Sequence, residues 1–181
     1  MKKILGIDPS LTSTGWAILE YEENKLKDIL KSGKATLFKK EYQPILLDYG
    51  RIITNSKDLD TKRIYKHYTE MNRIVNFYIP NIISIEDQYN YLNPKTLKKL
   101  SQVRGVFMFL ACQYNIELYL YSPASIKKIV SGSGKADKEI IVNTINNYFN
   151  IELNVKNDND KADAIAIALS YLFDRKKSKI I

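Results

Sequence analysis

The run Lys3-Ile4-Leu5-Gly6-Ile7-Asp8-Pro9-Ser10 constrains the fold more than any other stretch of this 181-residue chain. Apolar and small residues in succession, closed by an acid, a proline and a serine, predict a buried central strand that delivers the Asp8 carboxylate at its C-terminal edge. In mixed α/β sheets, ligands and catalytic groups collect beyond the strand ends, which makes an acid so placed a functional candidate. Asp-Pro also opens ordinary turns, so Asp8 gains meaning only if other elements answer to it.

The length suits a single domain, expected over residues 1–174, with a basic tail at 175–181. The longest apolar stretches, Gly105 to Cys112 and Ala164 to Tyr171, fall well short of the ~20 residues that span a bilayer. The N-terminal lysines run straight into strand pattern without an apolar signal core, so a cytoplasmic location is expected, with no membrane partner. A single cysteine, Cys112, excludes an intramolecular disulfide, and its neighbours Phe109, Leu110 and Ala111 predict that it is buried. With one histidine, His67, the chain holds the parts of neither a histidine-ligated zinc site nor a Ser-His-Asp triad. Any metal must be held by oxygen. Lysine and arginine total 28 against 20 acids, a net charge of +8 that favours a polyanionic partner, nucleic acid before membrane.

Beyond Asp8, Trp16 to Tyr21 reads as a second strand, Glu22 to Lys25 as a turn, and Asp28 to Leu37 as a third strand with a bulge near Gly33. Residues 38–62 show no sustained period and read as an excursion or insertion. Ile64, Tyr68, Met71, Ile74, Val75 and Tyr78 recur at three- and four-residue steps, predicting a helix ended by Pro80. Asn81 to Glu86 is a β-branched strand that again ends in an acid. A helix then starts at Pro94 with Lys95, Lys98, Lys99 and Arg104 on its outer sides. Ile116 to Tyr121 is a strand, Pro123 opens a short helix, and helices follow from about Asp137 to Phe149 and from Asp160 to Phe173. The order predicts a mixed α/β sheet of five strands, three antiparallel and then two parallel, with helices on its faces.

In that topology Asp8 and Glu86 end neighbouring parallel strands on one edge of the sheet. Asp160 and Asp163 share one face of the first turn of the last helix, and converge with them if that helix starts at the same edge. Bare carboxylates 4 Å apart repel by roughly 4 kcal/mol per pair at an effective dielectric of 20. Hard oxygen ligands suit magnesium or manganese, two of which can clamp an in-line phosphoryl displacement. Each acid also has an ordinary local reading, as turn starter, loop acid or first-turn acid of a helix. Those readings leave unexplained why three separate elements carry acids to one edge.

The ordered blocks Leu5-Gly6-Ile7-Asp8-Pro9-Ser10 with Thr14 to Ala17, Ile85-Glu86-Asp87-Gln88-Tyr89, Leu100 to Gly105, Ser122 to Lys138 and Asp160 to Ala168 resemble the RuvC-type Holliday junction resolvases of the ribonuclease H-like superfamily. The resemblance covers nearly the whole chain. It implies a ribonuclease H-like fold and a crossover junction endodeoxyribonuclease in which Asp8, Glu86, Asp160 and Asp163 are the catalytic, metal-binding acids. It implies two Mg2+ ions per site, Mn2+ being a substitute, and cleavage leaving 5′-phosphate ends. Lys127 and Lys138 fall where the family carries DNA-binding lysines, and Tyr89 where it places an aromatic near the junction centre. Lys95, Lys98, Lys99 and Arg104 would line the DNA channel or flank a dimer seam. Family members act as homodimers on four-way DNA, with a branch-migration helicase as a possible partner.

Two departures bear on substrate choice: residues 38–62 lengthen the spacing from Asp8 to Glu86, and Asp87 adds an acid beside Glu86. A phage or viral member of the family would work in the host cytoplasm and act more broadly on Y, flap and three-way DNA. A junction-binding protein with little catalysis is a further alternative, against which the intact four-acid set argues.

Overall fold

A computed structural model of the protein describes residues 1–31, 42–87 and 93–174. Eleven elements follow one another among them: β1 (Lys2–Asp8), β2 (Ser13–Tyr21), α1 (Glu23–Lys31), β3 (Ile45–Ile53), α2 (Asp60–Tyr78), β4 (Ile82–Glu86), α3 (Pro94–Gln113), β5 (Glu117–Tyr121), α4 (Pro123–Ser131), α5 (Lys138–Phe149) and α6 (Asn159–Phe173). The five strands form one sheet in the order β3-β2-β1-β4-β5. β1 pairs antiparallel with β2 and parallel with β4, β2 pairs antiparallel with β3, and β4 pairs parallel with β5. This is the expected mixed sheet.

Three expectations fail. The third strand is not Asp28 to Leu37: Glu23–Lys31 is a helix, residues 32–37 (with Gly33) lie outside the described residues, and the strand is Ile45–Ile53. The stretch 38–62 is therefore no mere excursion, because its described part supplies the sheet's edge strand and the start of α2. Cys112 is exposed rather than buried. It stands two positions past the buried Leu110, on the opposite side of α3.

The period-2 alternation of the strands sorts the core into two layers. Leu5, Ile7, Ile18, Ile83, Ile85 and Leu118 point to one face and pack with Met71 and Val75 of α2 and with Val103, Phe107 and Leu110 of α3. Ile4, Ala17, Leu19, Ile82, Tyr119 and Tyr121 point to the other, against α4, α5 and α6. On that second face α6 is an almost wholly buried run of alanine, isoleucine and leucine laid across the sheet. Its close approach rests on two glycines: a Cβ on Gly6 would lie 2.2 Å from the Ala164 carbonyl oxygen, and one on Gly15 1.9 Å from that of Asp160. Ser84 Oγ adds a 2.8 Å hydrogen bond to the Ile167 carbonyl. Helix, strand and glycine thus fix where the first turn of α6 must lie.

Candidate active site

Asp8 and Glu86 follow directly on the paired residues Ile7 and Ile85, so they stand side by side at the C-terminal ends of β1 and β4. Alternation sends both side chains to the face of Ile4, Gly6 and Ser84, which is the face α6 covers. The contact of Gly15 with the Asp160 main chain sets the first turn of α6 at the same edge. Asp160 and Asp163, three apart, project from that turn. Sequence order scatters these four acids over three elements; the sheet edge brings them together, all partly buried.

Their mutual field is visible in the proton affinities of Asp8 and Asp163. Burial raises the Asp8 carboxyl well above the usual carboxylate range, and Asp163, Glu86 and Asp160 raise it further. Burial also pushes Asp163 up to about 6; Lys138 and Lys127 pull it down while Glu86 and Asp160 push it up. Asp8, Glu86 and Asp163 line a cavity of about 250 Å³ together with Lys127 of α4, Lys138 of α5 and an apolar wall that includes Ile167. A larger cleft of about 950 Å³ opens between β3 and α2 and contains none of the four acids. Its own carboxylates are engaged, Asp48 by the hydroxyl of Tyr78 and Glu70 by Arg73 at 3.5 Å. Charges of both signs converge in the smaller cavity, at the strand ends.

The donor set is all hard oxygen, which fits a divalent cation of the magnesium or manganese kind. Among the described residues, no three acid, histidine or cysteine side chains already form a cage around one point. The fit therefore rests on the donor chemistry and on the acids' mutual repulsion, which a cation between them would relieve.

The other candidate residues divide. Lys95 and Lys98 are exposed on the outer side of α3. Lys99 reaches Asp60 at 3.3 Å, an ion pair open to solvent. Arg104 turns inward to Asp87 at 2.6 Å, with side chains only 26% and 10% exposed, so it anchors the residue after Glu86. The Asp87 main chain is tied as well, its N–H donating to the Tyr121 carbonyl at 2.8 Å. Tyr89 lies outside the described residues.

Two features had no signal in the linear sequence. The Ser13 hydroxyl donates to Asp160 Oδ2 across 147 positions. Beneath the β1–β2 turn, a buried polar group holds the loop. His67 Nε2 lies 2.9 Å from the Leu11 carbonyl, Arg63 donates to Thr12 Oγ1 and Thr54 Oγ1 at 3.0 Å each, and the Thr54 hydroxyl also donates to Leu11. Burial lowers the His67 pKa, so the ring is neutral and donates that hydrogen bond.

The family model described as crossover junction endodeoxyribonuclease RuvC matches residues 4–171. The RuvC of Finegoldia magna is 34% identical over 174 residues, covering 96% of this chain and 94% of that protein. The RuvC of Ehrlichia ruminantium is 35% identical over 173 residues, covering 96% and 98%. Among solved structures, Thermus thermophilus RuvC in complex with a Holliday junction substrate superposes with a TM-score of 0.82 at 19% identity, over 99% of this chain and 100% of that one. The yeast mitochondrial Holliday junction resolvase superposes at 0.60 and 14% identity, over 94% and 79%. The sheet order, the strand-end acids and the sequence match agree: the chain belongs to the RuvC family of crossover junction endodeoxyribonucleases.

Proposed function

We propose that this protein resolves four-way DNA junctions by paired, metal-dependent nicks, working as a homodimer. The observation that carries the proposal is the adjacency of Asp8, Glu86, Asp160 and Asp163 at one sheet edge, close enough for each of the other three to raise the proton affinity of Asp8. These four carboxylates would hold two Mg2+ ions, for which Mn2+ could substitute. Ions held there would supply an activated water and offset charge developing on the phosphodiester, the chemistry that would leave 5′-phosphate and 3′-hydroxyl ends.

The chain's own residues do the rest. Lys127 and Lys138 bring positive charge into the same cavity, where they offset the charge of the incoming phosphate. Lys95 and Lys98, exposed on α3, suit contacts to the phosphate backbone, which fix the position of DNA without reading its sequence. Lys99 could join them by releasing Asp60, at the cost of a weak surface pair. Arg104 is better suited to steadying Asp87 beside Glu86 than to touching DNA. Tyr89 would stack near the junction centre. Two symmetric nicks require two sites related by a twofold axis, which a homodimer supplies. A branch-migration helicase would meet the dimer on the same junction. Residues 1–174 act as one unit in this reading, with 175–181 as a basic extension.

Asp8→Asn tests the site. It removes a charge while keeping shape, so junction nicking should fall by at least about a thousandfold while junction binding persists, as a gel shift in EDTA and a cleavage assay in Mg2+ would report. Normal cutting by this variant would remove Asp8 from the chemistry.

A further inference from the structure

Asp160 differs from the other acids in how it is held. Its main chain lies against Gly15, whose absent Cβ would stand 1.9 Å from the Asp160 carbonyl oxygen. Its side chain accepts a hydrogen bond from the Ser13 hydroxyl at Oδ2. One carboxylate is therefore fixed at both ends by residues two apart at the start of β2.

Ser13 is itself fixed. Its N–H reaches Ser10 Oγ at 3.4 Å, and the turn closes through Thr14, whose Oγ1 donates to the Ser10 carbonyl at 2.6 Å and accepts the Ser10 N–H at 3.1 Å. From below, His67, Arg63 and Thr54 hold Leu11 and Thr12, and the Thr54 N–H donates to the Thr12 carbonyl at 2.9 Å. Arg63 is 5% exposed and His67 fully buried, so this support belongs to the rigid part of the molecule. The same turn begins immediately after Asp8. It therefore links two acids of the site, one through the chain and one through Ser13.

We propose that Ser13 is a positioning residue that holds the Asp160 carboxylate in the orientation needed to bind a divalent cation. The proposal rests on the reading of Asp160 as a metal-binding acid. A hydroxyl donating to one carboxylate oxygen fixes rotation about the Cβ–Cγ bond, so no freedom of that group is lost when the ion binds. Partners of metal ligands act in this way, and removing one typically weakens affinity or activity about 10- to 100-fold.

The test is Mn2+ binding to the full chain without DNA, followed by calorimetry for wild type, Ser13→Ala, Ser13→Thr, Asp160→Asn and the Ser13→Ala, Asp160→Asn double variant. Thermal unfolding in EDTA accompanies each. Ser13→Ala should weaken Mn2+ binding about tenfold or more, with the unfolding temperature in EDTA unmoved. Ser13→Thr, which keeps the hydroxyl, should restore affinity, and Ser13→Ala should cost nothing further in the Asp160→Asn background. Wild-type affinity in Ser13→Ala beside a weakened Asp160→Asn would overturn the role of Ser13 alone. Wild-type affinity in Asp160→Asn would overturn the reading of Asp160 as a ligand, and the proposal with it. A loss in Ser13→Ala that Ser13→Thr does not rescue, or that comes with an equal loss of thermal stability, would mean that Ser13 serves the fold rather than the carboxylate.

Discussion

Burial holds the Asp163 carboxyl up at about 6, Glu86 and Asp160 adding to it and Lys138 and Lys127 subtracting. A carboxyl raised in the folded state keeps its proton at pH values where the unfolded chain has lost it. The folded state then binds more protons between about pH 4 and pH 6, so metal-free stability falls as pH rises through that window and stays reduced above it. Asp8 acts in the same direction. Asp163→Asn removes one such penalty. Its advantage over wild type in unfolding free energy, measured in EDTA, should grow from pH 4 to pH 7 by at most about 3 kcal/mol, less for the partial exposure of the group. A pH-independent difference would contradict the account. At this scale the four acids stood out because Asp8 and Glu86 close strands and Asp160 and Asp163 stand three apart near the start of a helix. The sequence could not reveal what engages Asp160, or what anchors the residue after Glu86: Ser13 stands 147 positions from Asp160, and Arg104 stands 17 from Asp87. Only the fold makes those residues neighbours.

The elements were legible where apolar residues run unbroken and illegible where polar residues interrupt them. β1 and β4 sit in the middle of the sheet, and their apolar runs are continuous. β3 is an edge strand whose residues are nearly all exposed or partly exposed, so Asp48, Gly50 and Arg51 interrupt it without cost and no alternation survives to be read. In α1, polar residues of high helix propensity around Leu26 outweigh the strand-like look of the stretch that follows. The glycines of the second face carry a prediction. In Gly15→Ala the new Cβ would overlap the Asp160 main chain, forcing the first turn of α6 away from β2. The variant should lose about 1–3 kcal/mol of stability, as overpacking does, and bind Mn2+ more weakly. Gly105→Ala, with no atom within 4 Å of the added Cβ and a position inside α3, should be neutral or slightly stabilising in the same unfolding experiment. Equal stability of the two variants would show that α6 is not held by close approach at Gly15.

The whole molecule joins a basic exterior to an acidic cavity. A net charge of +8 draws a polyanion from a distance and makes its affinity fall steeply with salt, whereas cutting needs that polyanion's phosphate at a cluster of carboxylates. In the proposed site, cations between the acids would reconcile the two, with the lysines Lys127 and Lys138 beside them. Among the described residues no helix is long and apolar enough to cross a membrane. The most direct measurement is cleavage of end-labelled four-way junction, three-way junction, flap and plain duplex by the purified protein, with Mg2+ and with EDTA. The account predicts paired, symmetrically placed nicks with 5′-phosphate ends, concentrated in the four-way junction and absent in EDTA. Tight junction binding without cutting in Mg2+, or cutting that is undiminished in EDTA, would contradict it; equal cutting of every branched form would contradict the four-way specificity and leave a general debranching nuclease.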